Sequence, residues 1–318
     1  MAIFEKLIQV GIVSKDIGRI LESYVNIYGI GPWYILKFAP QNVESMTIHN
    51  KKQNYSMNVV VCPIDGIRFE YIEPITKSTF TEFYDRYGEN MIHHLKLQVN
   101  NYNEALDILT AKKINNIQSG DQLGDSGKNI YTFLDTQERL GFITEIVNVT
   151  KDFIKPKPDY WYPSEHKVFN PVFIKPSAIG ILVKNVETKI KDYTNLAIGP
   201  WDICELGEES NLKIKIKIAF CRLGNIIFKL IEPKSDSIFS RFLEKYGEGI
   251  HHIKMEVDDY DKTLEYLNSK GVNVIYSDNY LKKIRFSFLD TDKHLNFITE
   301  ISDKTIEPEQ ISEVIIHP

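Results

Sequence analysis

The start of the chain changes from a strand-like to a helix-like pattern of apolar residues. Residues 7–13 are a short apolar run, rich in β-branched side chains and bounded by polar residues, which predicts a β-strand. Asp16 fits the N-cap position of a following helix. Apolar residues then recur at the spacing of one helix face up to Gly29: Ile17, Ile20, Leu21, Tyr24, Val25 and Tyr28. The pattern therefore predicts a strand followed by an amphipathic helix.

Three more strand-like stretches follow this helix, at residues 33–38, 57–62 and 67–72, and the turn Asp65-Gly66 joins the last two. This order predicts a βαβββ module. A second module follows, with a strand at 94–99, a helix over 103–114, and strands near 130–134 and 141–147. We expect an α+β protein in which modules pair, so that two modules form one half-closed barrel with a cleft.

Four short motifs occur twice in the same order, which predicts a duplicated domain. Gly-Pro-Trp stands at 31–33 and 199–201, Ile-Glu-Pro at 72–74 and 231–233, Tyr-Gly-Glu at 87–89 and 246–248, and Phe-Ile-Thr-Glu at 142–145 and 297–300. The chain is therefore expected to contain four modules. A proline-rich stretch separates the copies, and its prolines exclude a continuous helix or a central strand. The predicted parts are a first domain (1–150), a linker (151–175), a second domain (176–304) and a tail (305–318).

The composition narrows the class of protein. A formal net charge of -5 provides no basic surface for nucleic acid. No apolar stretch approaches the roughly 18 residues of a membrane span, and the first residues lack the pattern of a signal peptide. The three cysteines form neither an even set nor a CxxC pair and are expected to be reduced. We therefore expect a cytoplasmic protein whose partner is a small molecule.

Polar residues on four strands of the first domain are the candidate metal ligands. Two paired modules bring their first and last strands to a common cleft, and these strands carry Gln9, Glu70, His94 and Glu145. Two carboxylates, an imidazole and an amide oxygen suit a divalent first-row metal, with an open position for water or substrate. Each residue alone is better explained as an ordinary polar side chain on a strand. Their common placement favours one bound cation, because unpaired charges inside a barrel would be costly.

The second domain has a different set at the equivalent positions: Ala178, Lys229, His252 and Glu300. Alanine offers no donor atom, and the lysine ammonium would lie where a metal would be. We therefore expect this site to be metal-free, with Lys229 and Glu300 forming an ion pair. His93 and His251 precede the candidate histidines and should point to the opposite face of their strands.

Four segments resemble the vicinal oxygen chelate (glyoxalase, bleomycin resistance and dioxygenase) superfamily: residues 9–16 (QVGIVSKD), 69–74 (FEYIEP), 92–99 (IHHLKLQV) and 142–145 (FITE). The resemblance covers about residues 5–149 and 176–303. The set Gln9, Glu70, His94 and Glu145 resembles the metal ligands of the glyoxalase I type, while the Tyr-Gly-Glu and Ile-His-His stretches resemble methylmalonyl-CoA epimerase. Where epimerases carry a catalytic glutamate, this chain has Asn58, which argues against epimerase activity proper.

Such a site favours a metal-dependent isomerase, epimerase or lyase, which moves a proton next to a carbonyl through an enolate. The expected cofactor is one divalent ion (Zn, Ni, Co, Mn or Fe) in the first domain, and the expected substrate carries two adjacent oxygens. Glu145 is the favoured base, with Glu70 on the opposite face. A binding or resistance protein that holds a small molecule without reaction is the alternative. An extradiol-type dioxygenase needs a second histidine ligand and is disfavoured.

Overall fold

A computed structural model describes residues 3–89, 91–165, 167–207, 212–280 and 283–303. The chain divides into two compact units, which we call the first and second domains. The first domain comprises Ile3–Glu138 and Phe142–Asn170, and the second comprises Arg139–Gly141 and the residues from Pro171 onward. The predicted tail, 305–318, lies outside the described residues. In the described part of the chain, no helix is both long and apolar enough to cross a membrane.

The first domain is built around one curled sheet. Its elements in chain order are β1 (Phe4–Val13), α1 (Ile17–Asn26), β2 (Trp33–Phe38), β3 (Val43–Ile48), β4 (Lys51–Lys52), β5 (Met57–Ile64), β6 (Ile67–Pro74), α2 (Thr79–Tyr87), β7 (Ile92–Val99), α3 (Tyr102–Ala111), β8 (Asn116–Leu123), β9 (Lys128–Leu134), α4 (Gln137–Leu140), β10 (Ile143–Val149) and β11 (Tyr160–Tyr162). The strand order is β11-β2-β5-β6-β1-β7-β10-β9-β8-β3-β4. The two modules therefore meet where β1 pairs antiparallel with β7.

The second domain repeats this plan with fewer strands. Its elements are β12 (Pro176–Leu182), α5 (Val186–Asn195), β13 (Asp202–Leu206), β14 (Ile216–Leu223), β15 (Ile226–Pro233), α6 (Ile238–Tyr246), β16 (Gly249–Met255), α7 (Tyr260–Ser269), β17 (Val274–Tyr280), β18 (Ile284–Leu289), α8 (Asp292–Leu295) and β19 (Ile298–Ser302). The strand order is β13-β14-β15-β12-β16-β19-β18-β17. The α+β fold of repeated modules and half-barrel sheets is confirmed.

The local start signal predicted for the first helix is present. Asp16 is the N-cap of α1, and its carboxylate accepts a hydrogen bond from the Arg19 backbone N–H at 3.0 Å. The apolar face of α1 is buried as the spacing predicts. The helix ends at Asn26, earlier than the predicted Tyr28, and Gly29 follows with a left-handed φ of +62°.

Several elements were not predicted, and their sequences explain why. β8 is polar on both faces, because its buried positions include Gln118 and Gln122, so it lacks the alternation that marks a strand. The hairpin β3–β4 is inserted between the second and third strands of the first module, and β3 pairs with β8 of the second. Part of the predicted linker is an edge strand, since β11 pairs antiparallel with β2.

Each domain has one glycine that makes room for a histidine ring. Gly11 on β1 lies opposite His94 on β7, and a Cβ at Gly11 would stand 1.8 Å from His94 Cε1. Gly180 and His252 repeat this arrangement, with a distance of 1.9 Å. The absence of a side chain lets the imidazole lie across the neighbouring strand. These glycines therefore set the position of the ring in each cleft.

We expect Gly11→Ala to destabilise the first domain by about 2 to 3 kcal/mol, because the new methyl group and the His94 ring cannot share the same space. Gly18→Ala is the matched control. Gly18 is an exposed residue of α1 whose added Cβ has no contact closer than 3.6 Å, so that change should stabilise by about 0.5 kcal/mol. Urea denaturation measures both changes, and equal effects would contradict the role given to Gly11.

Candidate metal centre

The four sequence-predicted positions of the first domain lie on four neighbouring strands, in the order β6-β1-β7-β10. The strand register arranges their side chains in two rows. One row crosses the sheet as Arg68, Gln9, Lys96 and Glu145, and the other as Glu70, Gly11, His94 and Ile143. Residues two apart on a strand share a face, so both rows border the same cleft.

Three of the predicted ligands converge. His94 Nε2 lies 3.7 Å from Glu70 Oε1 and 3.2 Å from Glu145 Oε2. One donor atom from each of the three residues falls within 4.8 Å of the other two, a cluster that could hold a metal ion. His94 is fully buried, whereas the side chains of Glu145 and Glu70 are 3% and 14% exposed. Glu70 is therefore the carboxylate that faces the open side of the cleft.

A lysine that the sequence reading missed lies within this cluster. The buried Lys96 donates from Nζ to Gln9 Oε1 at 3.0 Å and forms an ion pair with Glu145 Oε1 at 3.0 Å. The expectation that the site charges lack a protein partner is therefore wrong, because Lys96 pairs with one carboxylate. The missed signal is the spacing of His94 and Lys96, two residues apart on one strand and so on one face.

The two oxygens of Glu145 have different environments. Lys96 binds Oε1, whereas Oε2 faces His94 Nε2. The Lys96 contact therefore leaves one Glu145 oxygen directed at the cluster. The Gln9 amide is turned so that its oxygen accepts from Lys96 and its nitrogen lies 3.5 Å from Glu145 Oε2. To act as a ligand through oxygen, Gln9 would have to rotate its amide and lose the Lys96 hydrogen bond.

The histidine pair leaves one nitrogen free to act as a ligand. His93 Nδ1 and His94 Nδ1 are 3.0 Å apart, so one of them carries the shared proton. His94 Nε2 is buried and makes no aligned hydrogen bond with the described residues, although Glu145 lies near it. When His94 Nδ1 is the donor, its Nε2 presents a lone pair to both glutamates. As predicted, His93 points to the other face, where it packs against Phe80 and Phe83 of α2.

The electrostatics of the two glutamates differ. Burial raises the pKa of Glu70, and the neighbouring Glu145 carboxylate raises it further, against the opposing effects of Lys96 and His94. Burial also acts to raise the pKa of Glu145, but Lys96 and His94 outweigh it and hold that pKa below its usual value. Two carboxylates and an imidazole that share a buried space form a donor set that suits a divalent cation. These residues therefore fit the predicted metal.

The walls of the first cleft correct one expectation from the family resemblance. Asn58 points away from the cleft, and its amide donates to Glu73 Oε2 at 2.7 Å. The residues of β5 that line the cleft are apolar: Met57, Val59 and Val61. Asn58 is therefore not the counterpart of a catalytic glutamate in the cleft, and β5 provides no acid or base there.

Two cations stand beside this apolar wall. Arg68 lies on β6, and Lys155 comes from the segment predicted as a linker. Lys155 Nζ lies 3.7 Å from the centre of the Tyr34 ring. Burial lowers the pKa of Lys155, and the nearby Arg68 lowers it further. The predicted linker thus provides part of the first cleft.

The second cleft contains the four predicted positions in the equivalent places. Lys229 Nζ lies 2.5 Å from Glu300 Oε2, which is the expected ion pair, and His252 Nε2 lies 2.9 Å from the same oxygen. Burial acts to raise the pKa of Glu300, but Lys229, His252 and Lys254 hold it well below its usual value. The sequence analysis placed one lysine in this cleft, but a second, Lys254, also lines it.

The two lysines of the second cleft should have opposite effects on stability. Lys229→Met leaves Glu300 without its close partner and should destabilise the domain by about 2 kcal/mol. This loss is smaller than that expected on breaking an isolated buried ion pair, because Lys254 still lies near Glu300. Burial lowers the pKa of Lys254 to about 8, so its charge opposes folding at pH 7. Lys254→Met should therefore stabilise the domain by about 1 to 3 kcal/mol.

The pH dependence provides an internal check on this pair of variants. The pKa of Lys254 in the folded protein is about 8, below its ordinary value of 10.5. Wild-type stability should therefore rise between these two pH values, where the unfolded chain binds a proton that the folded chain does not. The advantage of Lys254→Met should shrink over the same range. Urea denaturation at several pH values measures it, and a constant difference would contradict a charged, buried Lys254.

Comparison with known proteins agrees with this architecture. The family model described as Glyoxalase/Bleomycin resistance protein/Dioxygenase superfamily matches residues 8–132 and 178–288. An uncharacterized protein of Bacillus subtilis (strain 168), YqjC, is 32% identical over 98 residues, which are 30% of this chain and 67% of YqjC.

One solved structure shows the same fold over nearly the whole chain, and a second covers part of it. A triple mutant of 4-hydroxymandelate synthase from Streptomyces coelicolor matches with a TM-score of 0.64 and 13% identity, over 97% of this chain and 96% of that one. Methylmalonyl-CoA epimerase from Mycobacterium tuberculosis matches with a TM-score of 0.37 and 20% identity, over 46% of this chain and 97% of that one. With the family model matched in both domains, the chain belongs to the glyoxalase/bleomycin resistance protein/dioxygenase superfamily, also called the vicinal oxygen chelate superfamily.

Proposed function

We propose that the first domain is a metal-dependent isomerase, epimerase or lyase that moves a proton next to a carbonyl of a small molecule. The observation that carries the proposal is the convergence of Glu70, His94 and Glu145, with His94 Nε2 buried between two carboxylates and without an aligned hydrogen bond. A divalent ion held there would polarise the carbonyl of a substrate with two adjacent oxygens. The structural similarity to 4-hydroxymandelate synthase, an enzyme, supports a catalytic role in general terms.

Glu70 is the better proton carrier of the two glutamates, although the sequence favoured Glu145. Glu145 is held at one oxygen by Lys96 and is 3% exposed, so its movement would break a buried ion pair. Glu70 is more exposed and faces the cleft where a substrate would bind. We therefore assign Glu70 the role of base, and Glu145 the role of a fixed ligand that Lys96 keeps ionised.

The cations on the cleft wall suggest a charged substrate. Arg68 and Lys155 line the same cleft as Glu70, and Lys155 is partly desolvated above Tyr34. A carboxylate or phosphate on the substrate would pair with them and so orient the carbonyl toward the metal. The donor cluster has a single imidazole, which disfavours a dioxygenase that needs two histidine ligands.

Metal binding tests the first part of the proposal. Chain purified without chelator should bind about one divalent ion, measured by elemental analysis and by competition with a coloured chelator. Glu70→Gln keeps the shape but removes a charged ligand, so it should weaken binding at least about tenfold. Glu300→Gln in the second domain is the matched control and should leave the affinity unchanged. If Glu300→Gln lost metal binding and Glu70→Gln did not, the metal would be in the second domain and the proposal would be wrong.

Proton exchange tests the reaction. In deuterated water, metal-loaded chain should incorporate deuterium next to the carbonyl of a substrate drawn from 2-oxo acids, hemithioacetals and acyl thioesters. Glu70→Gln should slow this exchange by at least about 100-fold, since the amide cannot accept the proton. A ligand that binds tightly to the first domain without exchange would overturn the reaction and favour sequestration.

A further inference from the structure

The second domain contains an apolar cavity that the proposed reaction does not use. Its volume is about 120 Å³, and its mouth opens to solvent. Its walls are almost entirely hydrophobic, and six representative residues from three strands and one connecting segment are Leu206, Ile214, Ile216, Ile218, Phe220 and Phe286. Such walls exclude water and favour a ligand with an apolar body.

The base of this cavity is polar and carries a positive charge. Lys229, Lys254, His252 and Glu300 all line it. Burial lowers the pKa of His252 despite the nearby Glu300, so the imidazole is neutral at pH 7. Two ammonium groups against one carboxylate give a net charge of +1. The equivalent residues of the first cleft, with two carboxylates and one ammonium, give −1.

Lys254 is the group that lacks a partner. Its counterpart Lys96 donates to the Gln9 amide and pairs with Glu145, but the position of Gln9 is taken by Ala178 in the second domain. Lys229 forms its ion pair with Oε2 of Glu300. Lys254 Nζ makes no hydrogen bond or ion pair with the described residues. A buried ammonium without a partner is costly, and a bound anion would compensate it.

We propose that the second cleft binds an apolar monocarboxylate, with its carboxylate at Lys254 and its hydrocarbon body against the aliphatic and aromatic walls. A monoanion balances the net charge of +1 at the base, whereas a dianion would exceed it. A metal ion would be repelled by the two ammonium groups, and a neutral apolar molecule would leave Lys254 unpaired. This site is separate from the proposed reaction and does not depend on it.

The protonation of Lys254 makes the binding pH-dependent. Burial lowers the pKa of Lys254 to about 8, with Lys229 lowering it and Glu300, Glu256 and Asp303 opposing. A bound carboxylate favours the charged form and would raise this pKa. Affinity for the carboxylate should therefore fall as the pH rises from 7 to 9.

Calorimetric titration of the full chain with octanoate tests the proposal. Octanoate should bind more tightly than 1-octanol, which has the same chain without the charge. Lys254→Met should weaken the binding of octanoate at least about tenfold and leave the affinity for 1-octanol unchanged. It should also remove the pH dependence of octanoate binding. Lys96→Met changes the matched lysine of the first cleft and should not alter octanoate binding.

A second variant addresses the missing amide directly. Ala178→Gln should provide Lys254 with an amide partner like the one that Gln9 provides for Lys96. It should therefore weaken octanoate binding although Lys254 itself is unchanged. Three results would overturn the proposal: no octanoate binding at millimolar concentration, equal binding of 1-octanol, or equal losses in Lys254→Met and Lys96→Met. Titration in the presence of excess chelator should give the same octanoate affinity. The test therefore remains valid even if the first domain binds no metal.

Discussion

The antiparallel pairing of the first strands of two modules is the constraint on which both clefts depend. In the first domain, β1 and β7 align Gln9 with Lys96 and Gly11 with His94, and the parallel partners β6 and β10 add one acidic residue to each side. A shift of one residue would turn every one of these side chains to the opposite face. The glycine opposite each histidine makes the pairing specific, because no other residue leaves space for the ring.

The sequence was sufficient for the fold and for the strand positions of three residues that converge, Glu70, His94 and Glu145, because motif repetition and strand alternation can be recognised without a structure. It missed Lys96 and Lys254, although both stand two residues after a predicted ligand, because a lysine on a strand is normally taken to be solvated. Asn58 was placed in the cleft through an error of one residue, which reverses the face. β3 and β8 pair across modules through polar sequences, and such pairing leaves no periodic pattern to recognise.

The same backbone supports two opposite electrostatic environments through a small number of exchanges. Both clefts keep a histidine, a glutamate on the last strand and a buried lysine in equivalent register. Replacement of a carboxylate by Lys229 changes the net charge at the base from −1 to +1, and Ala178 removes the amide that would satisfy the second lysine. The net charge of the first arrangement favours a cation, and that of the second favours an anion.

This change also decides which chemistry each cleft can support. In the first, Lys96 restrains Glu145 and leaves Glu70 as the carboxylate with freedom to accept a proton. In the second, the position of Glu70 is occupied by the ammonium of Lys229, and the remaining Glu300 is bound to it and adjacent to His252. A proton acceptor locked in an ion pair is a poor base. Under the functions proposed above, duplication allowed one copy to lose its acceptor and serve as a binding site, while the other retained the groups for proton transfer.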